Sequence, residues 1–283
     1  MFFVDILVFI LKINMGRPRK YNLNENYFEK VNTQNKSYVL GFIYADGSVY
    51  ENYLSIRLSK KDIEILNFIK KELEYGGKIR TYQVNDKYYV DLTICSNKII
   101  GDLFKLGIIR NKTYLSKKLP LYEKKYEWDL LRGFFDGDGS IYSTTKRGRT
   151  EYTICFSNNI SVLNQVKNIL INYNISSCKI RHRYNNNESC MLEIRGNKNI
   201  EKINKLLYKN SDFYLKRKKK RFDNFILMVN NLTKRNISDD IINEIKLLYL
   251  SGVKQVKIGK SMKIPQSSVK GIIQRLRKHG KIK

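Results

Sequence analysis

Apolar and polar positions along this chain run through the same series of patterns twice. Tyr38 to Tyr50 reads YVLGFIYADGSVY, and Asp129 to Tyr142 reads DLLRGFFDGDGSIY. In both, an apolar run of helical length ends on Asp-Gly-Ser, a β-branched residue and Tyr, which predicts a buried helix closing on a turn into a strand. Downstream, LSIRLSKKDIEILNFIKKEL (Leu54 to Leu73) parallels YTICFSNNISVLNQVKNIL (Tyr152 to Leu170). Each is an alternating run, a polar turn, then apolar residues at helical spacing. KIRTY after Gly77 matches KIRHRY after Cys178, and YYVDLTICSNK matches CMLEIRGNK.

Self-similarity fixes architecture before any local assignment. Each half reads as helix, two strands, helix, two strands, helix. The predicted fold class is α+β, two pseudo-symmetric αββαββα repeats of about a hundred residues, the size of an ordinary domain. The repeats are placed at 21–125 and 126–232, joined by Leu115 to Glu127 around Pro120. Residues 1–20 read as an N-terminal extension. The expected strands are Leu54 to Ser59, Lys78 to Val84, Tyr88 to Cys95, Tyr152 to Ser157, Lys179 to Tyr184 and Cys190 to Arg195, and TTKRGRT (Thr144 to Thr150) reads as a basic loop.

The pattern changes from Asn236. Helical spacing over Asp239 to Leu250 stops at Gly252, VKQVKIGKSM gives a second helix, and Pro265-Gln266-Ser267-Ser268 opens a third. This segment, 233–283, resembles a helix-turn-helix of the resolvase or homeodomain-like type. That resemblance implies that the last helix presents Gln266, Ser267, Ser268, Lys270 and Gln274 to a DNA groove. A plain three-helix bundle with a basic face is the alternative.

Charge narrows the partner. The chain has 283 residues, with Lys+Arg 54 against Asp+Glu 26 and a formal net charge of +28. Self-repulsion of this size opposes compaction unless a polyanion neutralises it, and release of phosphate counterions makes nucleic-acid binding favourable. Membrane binding would need a basic amphipathic helix or a lipid anchor, and neither stands out. With 42% hydrophobic residues the chain is globular rather than disordered. The cysteines Cys95, Cys155, Cys178 and Cys190 form no C-x-x-C pair, which fits a reducing compartment. Cys178, His182 and Cys190 are too irregularly spaced to predict zinc.

The leading MFFVDILVFILKIN is too short to span a bilayer and lacks a basic start and a cleavage site. We read it as an upstream extension, with the functional chain opening at Met15; a dominant natural species starting at Met1 would refute this by N-terminal mass spectrometry.

VLGFIYADG (Val39 to Gly47) and LRGFFDGDG (Leu131 to Gly139) resemble the nine-residue signature of LAGLIDADG homing endonucleases, and the similarity extends over about Tyr21 to Asn231. The small residues make physical sense. Gly41 and Ala45, like Gly133 and Gly137, are spaced i, i+4, so each pair lies on one helix face and lets two backbones approach closely. Asp46 and Asp138 then fall at helix C-termini, where the dipole and a second carboxylate disfavour ionisation without a cation.

The resemblance implies saddle-shaped antiparallel sheets entering the major groove of double-stranded DNA, a long asymmetric target, a monomeric enzyme, and phosphodiester hydrolysis with Mg²⁺ (or Mn²⁺) held by Asp46 and Asp138. For basic residues that steady charge at the phosphate, Arg57 and Arg195 come first, then Lys61 and Lys98. DNA contacts are expected from Lys61, Arg80, Lys146, Arg147, Arg149, Arg181 and Arg183, and from KRKKKR through Lys216, Arg217 and Lys218. GRPRK (Gly16 to Lys20) is a further phosphate contact. At the sixth motif position Asp136 faces Tyr44 in the other copy, so a symmetric metal ligand there is excluded. The calcium-loop reading of Asp136-Gly-Asp138 fails because Ile141 stands where that loop needs glycine and Arg147 where it needs an acid.

Two other functions share this fold by resemblance: a catalytically dead transcription regulator carrying a helix-turn-helix, and an intron maturase acting on RNA. Retention of both aspartates favours cleavage over the first. Richness in Asn, Lys, Ile and Tyr implies A/T-rich codons, as in mobile elements of A/T-rich genomes.

Overall fold

The computed structural model describes residues 19–109, 118–146, 149–182, 189–234 and 239–282, with side chains of 146, 149 and 231–234 excepted. The proposed extension up to Pro18 and the Met15 start, the joining residues 115–117, Arg147 and Arg183 lie outside the described residues. The chain divides into two compact units, Met1–Phe225 and Ile226–Lys283.

The first unit opens on helix α1 (Gln34–Asp46). Thr33 caps it, its side chain accepting from Lys36 N at 3.2 Å and satisfying one of the helix's orphan amides. An unbroken row from Ser37 to Tyr44 is buried, because the helix is covered on all sides. Strands β1 (Gly47–Val49) and β2 (Tyr53–Ser59) follow, then α2 (Ile63–Glu72), β3 (Arg80–Val84), β4 (Lys87–Cys95) and α3 (Asn97–Lys105). The second copy runs α4 (Glu127–Asp138), β5 (Gly139–Lys146), β6 (Arg149–Asn158), α5 (Ile160–Asn172), β7 (Cys178–His182), β8 (Cys190–Arg195) and α6 (Asn197–Tyr208). Helix α7 (Lys216–Lys234) comes next.

Each copy forms a four-stranded antiparallel sheet, in order β1-β2-β4-β3 and β5-β6-β8-β7. The registers are equivalent: Gly47 pairs with Ile56 and Ile56 with Leu92, as Gly139 pairs with Phe156 and Phe156 with Leu192. Alternation sends Leu54, Ile56, Leu58, Val90, Leu92 and Ile94 into the core of the first half, and Ile154, Phe156, Leu192 and Ile194 into that of the second. The opposite face of each sheet carries the polar residues.

One expectation needs correcting. The basic loop Thr144 to Thr150 is mostly hairpin: Thr144 pairs with Glu151, Thr145 with Thr150 and Lys146 with Arg149. β-branched threonines suit a pleated surface even where no apolar alternation announces it.

The second unit contains α8 (Asp239–Leu250), α9 (Gln255–Ser261) and α10 (Gln266–Lys278) around Ile245, Ile258, Val269, Ile272, Ile273 and Leu276. Gly252, at φ +83°, ends α8 in the left-handed conformation that glycine adopts without strain. Within α9 a Cβ on Gly259 would lie 2.8 Å from the Ile264 carbonyl oxygen, so the turn into α10 folds back onto the helix where glycine leaves room. Among the described residues no helix is long and apolar enough to cross a membrane.

Candidate active site and nucleic-acid interface

Helices α1 and α4 meet backbone to backbone. A Cβ on Gly41 would stand 2.1 Å from Leu130 O, and one on Gly133 2.0 Å from Tyr38 O. Such distances leave room only for hydrogen, so both glycines set the depth of the crossing. One turn further on, a Gly137 Cβ would stand 2.3 Å from Ala45 Cβ and 3.5 Å from Asp46 Oδ2. Asp46, the last residue of α1, therefore faces the residue immediately before Asp138, the last residue of α4. Both aspartates are partly exposed.

Asp136 takes a different part. It is buried, accepts from Tyr38 Oη at 2.9 Å and from Leu215 N at 2.8 Å, and so links α1, α4 and the start of α7. Burial pushes its carboxyl up to about 6, against the pull of the Leu215 amide, Lys218, the Tyr38 hydroxyl and Arg132.

Lys218 is the residue whose role the sequence reading misjudged. It is not an exposed phosphate contact: it is 4% exposed, and Nζ donates to the carbonyl oxygens of Phe135 (2.7 Å), Asp136 (2.7 Å), Gly137 (3.0 Å) and Gly139 (2.6 Å). These carbonyls lie around the C-terminus of α4, where the partial negative charge of the helix accumulates. Burial, reinforced by Arg217, brings the ammonium down to about 8, while Asp136, Asp46 and Asp138 pull it up. A fixed positive charge thus stands within the field of both motif aspartates. The signal that reveals it is helical spacing: Leu215, Lys218, Phe222 and Phe225 follow at i, i+3, i+7, i+10 and are all buried.

Its neighbours also differ from expectation. Arg217 is engaged by Asp62, at 2.6 and 2.7 Å through Nε and Nη2. Lys216 is exposed, with its Nζ 3.5 Å from Glu64. Of the GRPRK contact, Arg19 is held by the Cys95 carbonyl and Glu25, and 16–18 lie outside the described residues.

The strand arginines share the open faces. Arg57 is exposed on β2, over the Tyr82 ring, and Arg195 is exposed on β8, paired with Glu193 at 3.0 Å. They are not equivalent positions: Arg57 follows Ile56 where the second half has Ser157 after Phe156, and Arg195 opposes Thr153 where Cys95 opposes Tyr53. Arg80 and Arg181 are equivalent, opposite Asp91 and Met191, and each is oriented by an acid, Arg80 by Asp91 at 2.6 Å and Arg181 by Glu193 at 3.0 Å. Lys61 is exposed in the turn before α2. Lys98 is held at the start of α3 by Asp102 at 2.6 Å and Glu29 at 3.5 Å, with Asp102 holding its ammonium above the usual range. The contacts of Lys98 do not tie it to the motif aspartates. Lys146 pairs with Arg149 at the end of the hairpin register; their side chains, like Arg147 and Arg183, lie outside the described residues.

On α10, Gln266, Ser267, Lys270 and Gln274 are exposed and Ser268 is half-buried, while Val269, Ile272, Ile273 and Leu276 form the core.

The donor set suits a hard divalent cation. Two partly exposed aspartates end the crossing helices, Asp46 lying against Gly137 and Asp138 following it in the chain, and among the described residues no group of three or more His, Cys, Asp or Glu forms a closed cage. Carboxylate oxygens are hard ligands of the kind that bind divalent cations, with water and phosphate oxygens completing the shell.

The fold of paired αββαββα repeats is shared with solved LAGLIDADG homing endonucleases. Residues 126–208, α4 through α6, match the family model for the LAGLIDADG-like domain. The I-GzeII LAGLIDADG homing endonuclease, solved in complex with a DNA target, is 14% identical, with a TM-score of 0.53 over 72% of this chain and 93% of that one. The meganuclease I-SmaMI, solved bound to an uncleaveable DNA, is 15% identical, with 0.52 over 71% and 90%. The I-LtrWI LAGLIDADG homing endonuclease bound to its target DNA is 16% identical, with 0.50 over 75% and 92%. A stretch of 151 residues, 51% of the chain, is 29% identical to DNA-directed RNA polymerase subunit Rpo1C of Methanocaldococcus jannaschii, and the chain spans only 16% of that subunit. Residues 126–208 thus match the LAGLIDADG-like domain, in a chain whose fold is shared with solved LAGLIDADG endonucleases.

Proposed function

We propose that this chain is a monomeric, site-specific endonuclease that cuts both strands of a long, asymmetric double-stranded DNA target. The observation that carries this reading is the approach of Asp46 to the end of α4 beside Asp138, imposed by the glycine contacts of α1 and α4. Asp46 and Asp138 would hold Mg²⁺ or Mn²⁺, which supplies Lewis-acid stabilisation of phosphate charge and an activated water. Lys218 keeps a positive charge beside the acid pair, where charge builds on the scissile phosphate. One aspartate per half serves one strand each.

The open sheet faces supply readout. Arg80 and Arg181, preset by Asp91 and Glu193, are suited to base or phosphate oxygens in a groove, with Arg57, Arg195 and Lys61 beside them. Residues 233–283 act as an accessory helix-turn-helix that lengthens the site through Gln266, Ser267, Ser268, Lys270 and Gln274.

The test is incubation with a randomised double-stranded DNA library in Mg²⁺ and, separately, in chelator, followed by sequencing of the ends produced. Site-specific breaks only with Mg²⁺ are expected. Specific retention of DNA without any cutting would instead make the chain a DNA-binding regulator, and activity confined to structured RNA would make it a maturase.

A further inference from the structure

We infer that the Asp62–Arg217 ion pair is a positioning device: it anchors the turn that delivers Lys218 to the first half of the chain, so that the first repeat sets the geometry of the second repeat's half-site. The effect on cutting rests on the nuclease reading; the geometric claim does not.

The segment 215–221 is gripped from both repeats in turn. From the second repeat, Asp136 accepts Leu215 N, the end of α4 accepts Lys218 Nζ, and Ile141 O accepts Arg221 Nη1 at 2.9 Å. From the first, Glu64 accepts Lys216 N at 3.1 Å and Asp62 takes the Arg217 guanidinium through Nε and Nη2 at 2.6 and 2.7 Å. Two parallel charge-assisted bonds fix direction as well as distance. The basic run itself opposes this placement, since Arg217 disfavours the charge on Lys218 and water competes for every ammonium.

The two repeats differ at this position. Asp62 and Asn159 occupy the same place, the N-cap of α2 and of α5. Asn159 does the local work, accepting from Val162 N at 3.1 Å. Asp62 makes no cap bond to its helix and turns its carboxylate to Arg217 instead. A cap of this type contributes about 1 kcal/mol to a helix. The second acid, Glu64, also has no counterpart, the matching residue being Ser161. The acids therefore stand only in the repeat that faces the Lys218 turn.

The experiment is amine acetylation of the native full-length protein, with labelling of each lysine quantified by mass spectrometry after digestion with a protease that spares lysine. In the wild type, Lys218 should label far more slowly than Lys216, whose side chain is 82% exposed. Arg217→Met and Asp62→Asn should each raise Lys218 labelling at least about tenfold by letting the turn open, with Lys216 little changed. The paired exchange Asp62→Arg with Arg217→Asp should return protection, which general loosening of the fold would not do. On the cleaved target, Arg217→Met should lower kcat about tenfold or more with DNA affinity changed less than threefold. Wild-type protection of Lys218 in both single variants, or no recovery in the exchange, overturns the proposal. A wild type that cuts no DNA would remove the nuclease reading and leave the labelling result to decide this one.

Discussion

Gly133 meets Tyr38 where the two motif helices cross: the α carbon of the glycine is so close that a methyl group on it would sit 2.0 Å from the Tyr38 carbonyl oxygen. The obstacle is helix backbone, which cannot swing aside as a side chain does. Gly133→Ala should therefore push the helices apart and destabilise the first unit by about 3 kcal/mol, the upper end of the usual overpacking cost. Chemical denaturation of the variant against wild type measures it. Stability within about 0.5 kcal/mol of wild type would mean the crossing is looser than described.

Much of this crossing is written in the sequence, because the small residues recur at i, i+4 in both copies and a buried helix has no other reason for them. The repeat order is legible for the same reason: two copies of one pattern support each other. The β5–β6 hairpin was not legible, since Thr144 to Thr150 has turn-like composition and its pairing is a tertiary matter of register. Among six consecutive basic residues no local feature separates Lys218 from Lys216; only its alignment with Leu215, Phe222 and Phe225 does, and that presumes a helix. Arg57 and Arg195 do not occupy equivalent positions, because strand register, not sequence distance, decides which positions correspond.

Asp91 gives the fold an acid-sensitive contact. Burial acts to raise its carboxyl, but hydrogen bonds from Arg80, Ser55 and Thr93 outweigh burial and hold it below the ordinary 3.8. A carboxyl with a lowered folded pKa contributes stability that is present above the unfolded value and is lost as pH falls through the folded one. The stability gap between wild type and Asp91→Asn should be constant above about pH 5 and shrink as pH drops below 3.8. Urea titrations at stepped pH test this, and a gap that widens on acidification would contradict it.

Lys270 stands exposed on α10 beside Ser267 and Gln274. If this helix adds a phosphate contact, Lys270→Met should weaken target binding evenly across sequences and reduce the slope of log K against log salt by about 1. Fluorescence anisotropy at several salt concentrations gives both numbers. An unchanged slope would place the second unit off the DNA.

Asp46→Asn and Asp138→Asn, assayed separately on the selected target with each strand end-labelled, test the acid pair most directly. Either substitution should lower the rate of double-strand breakage by about a thousandfold or more, with DNA affinity within a fewfold of wild type. Undiminished double-strand cutting in both variants would contradict it.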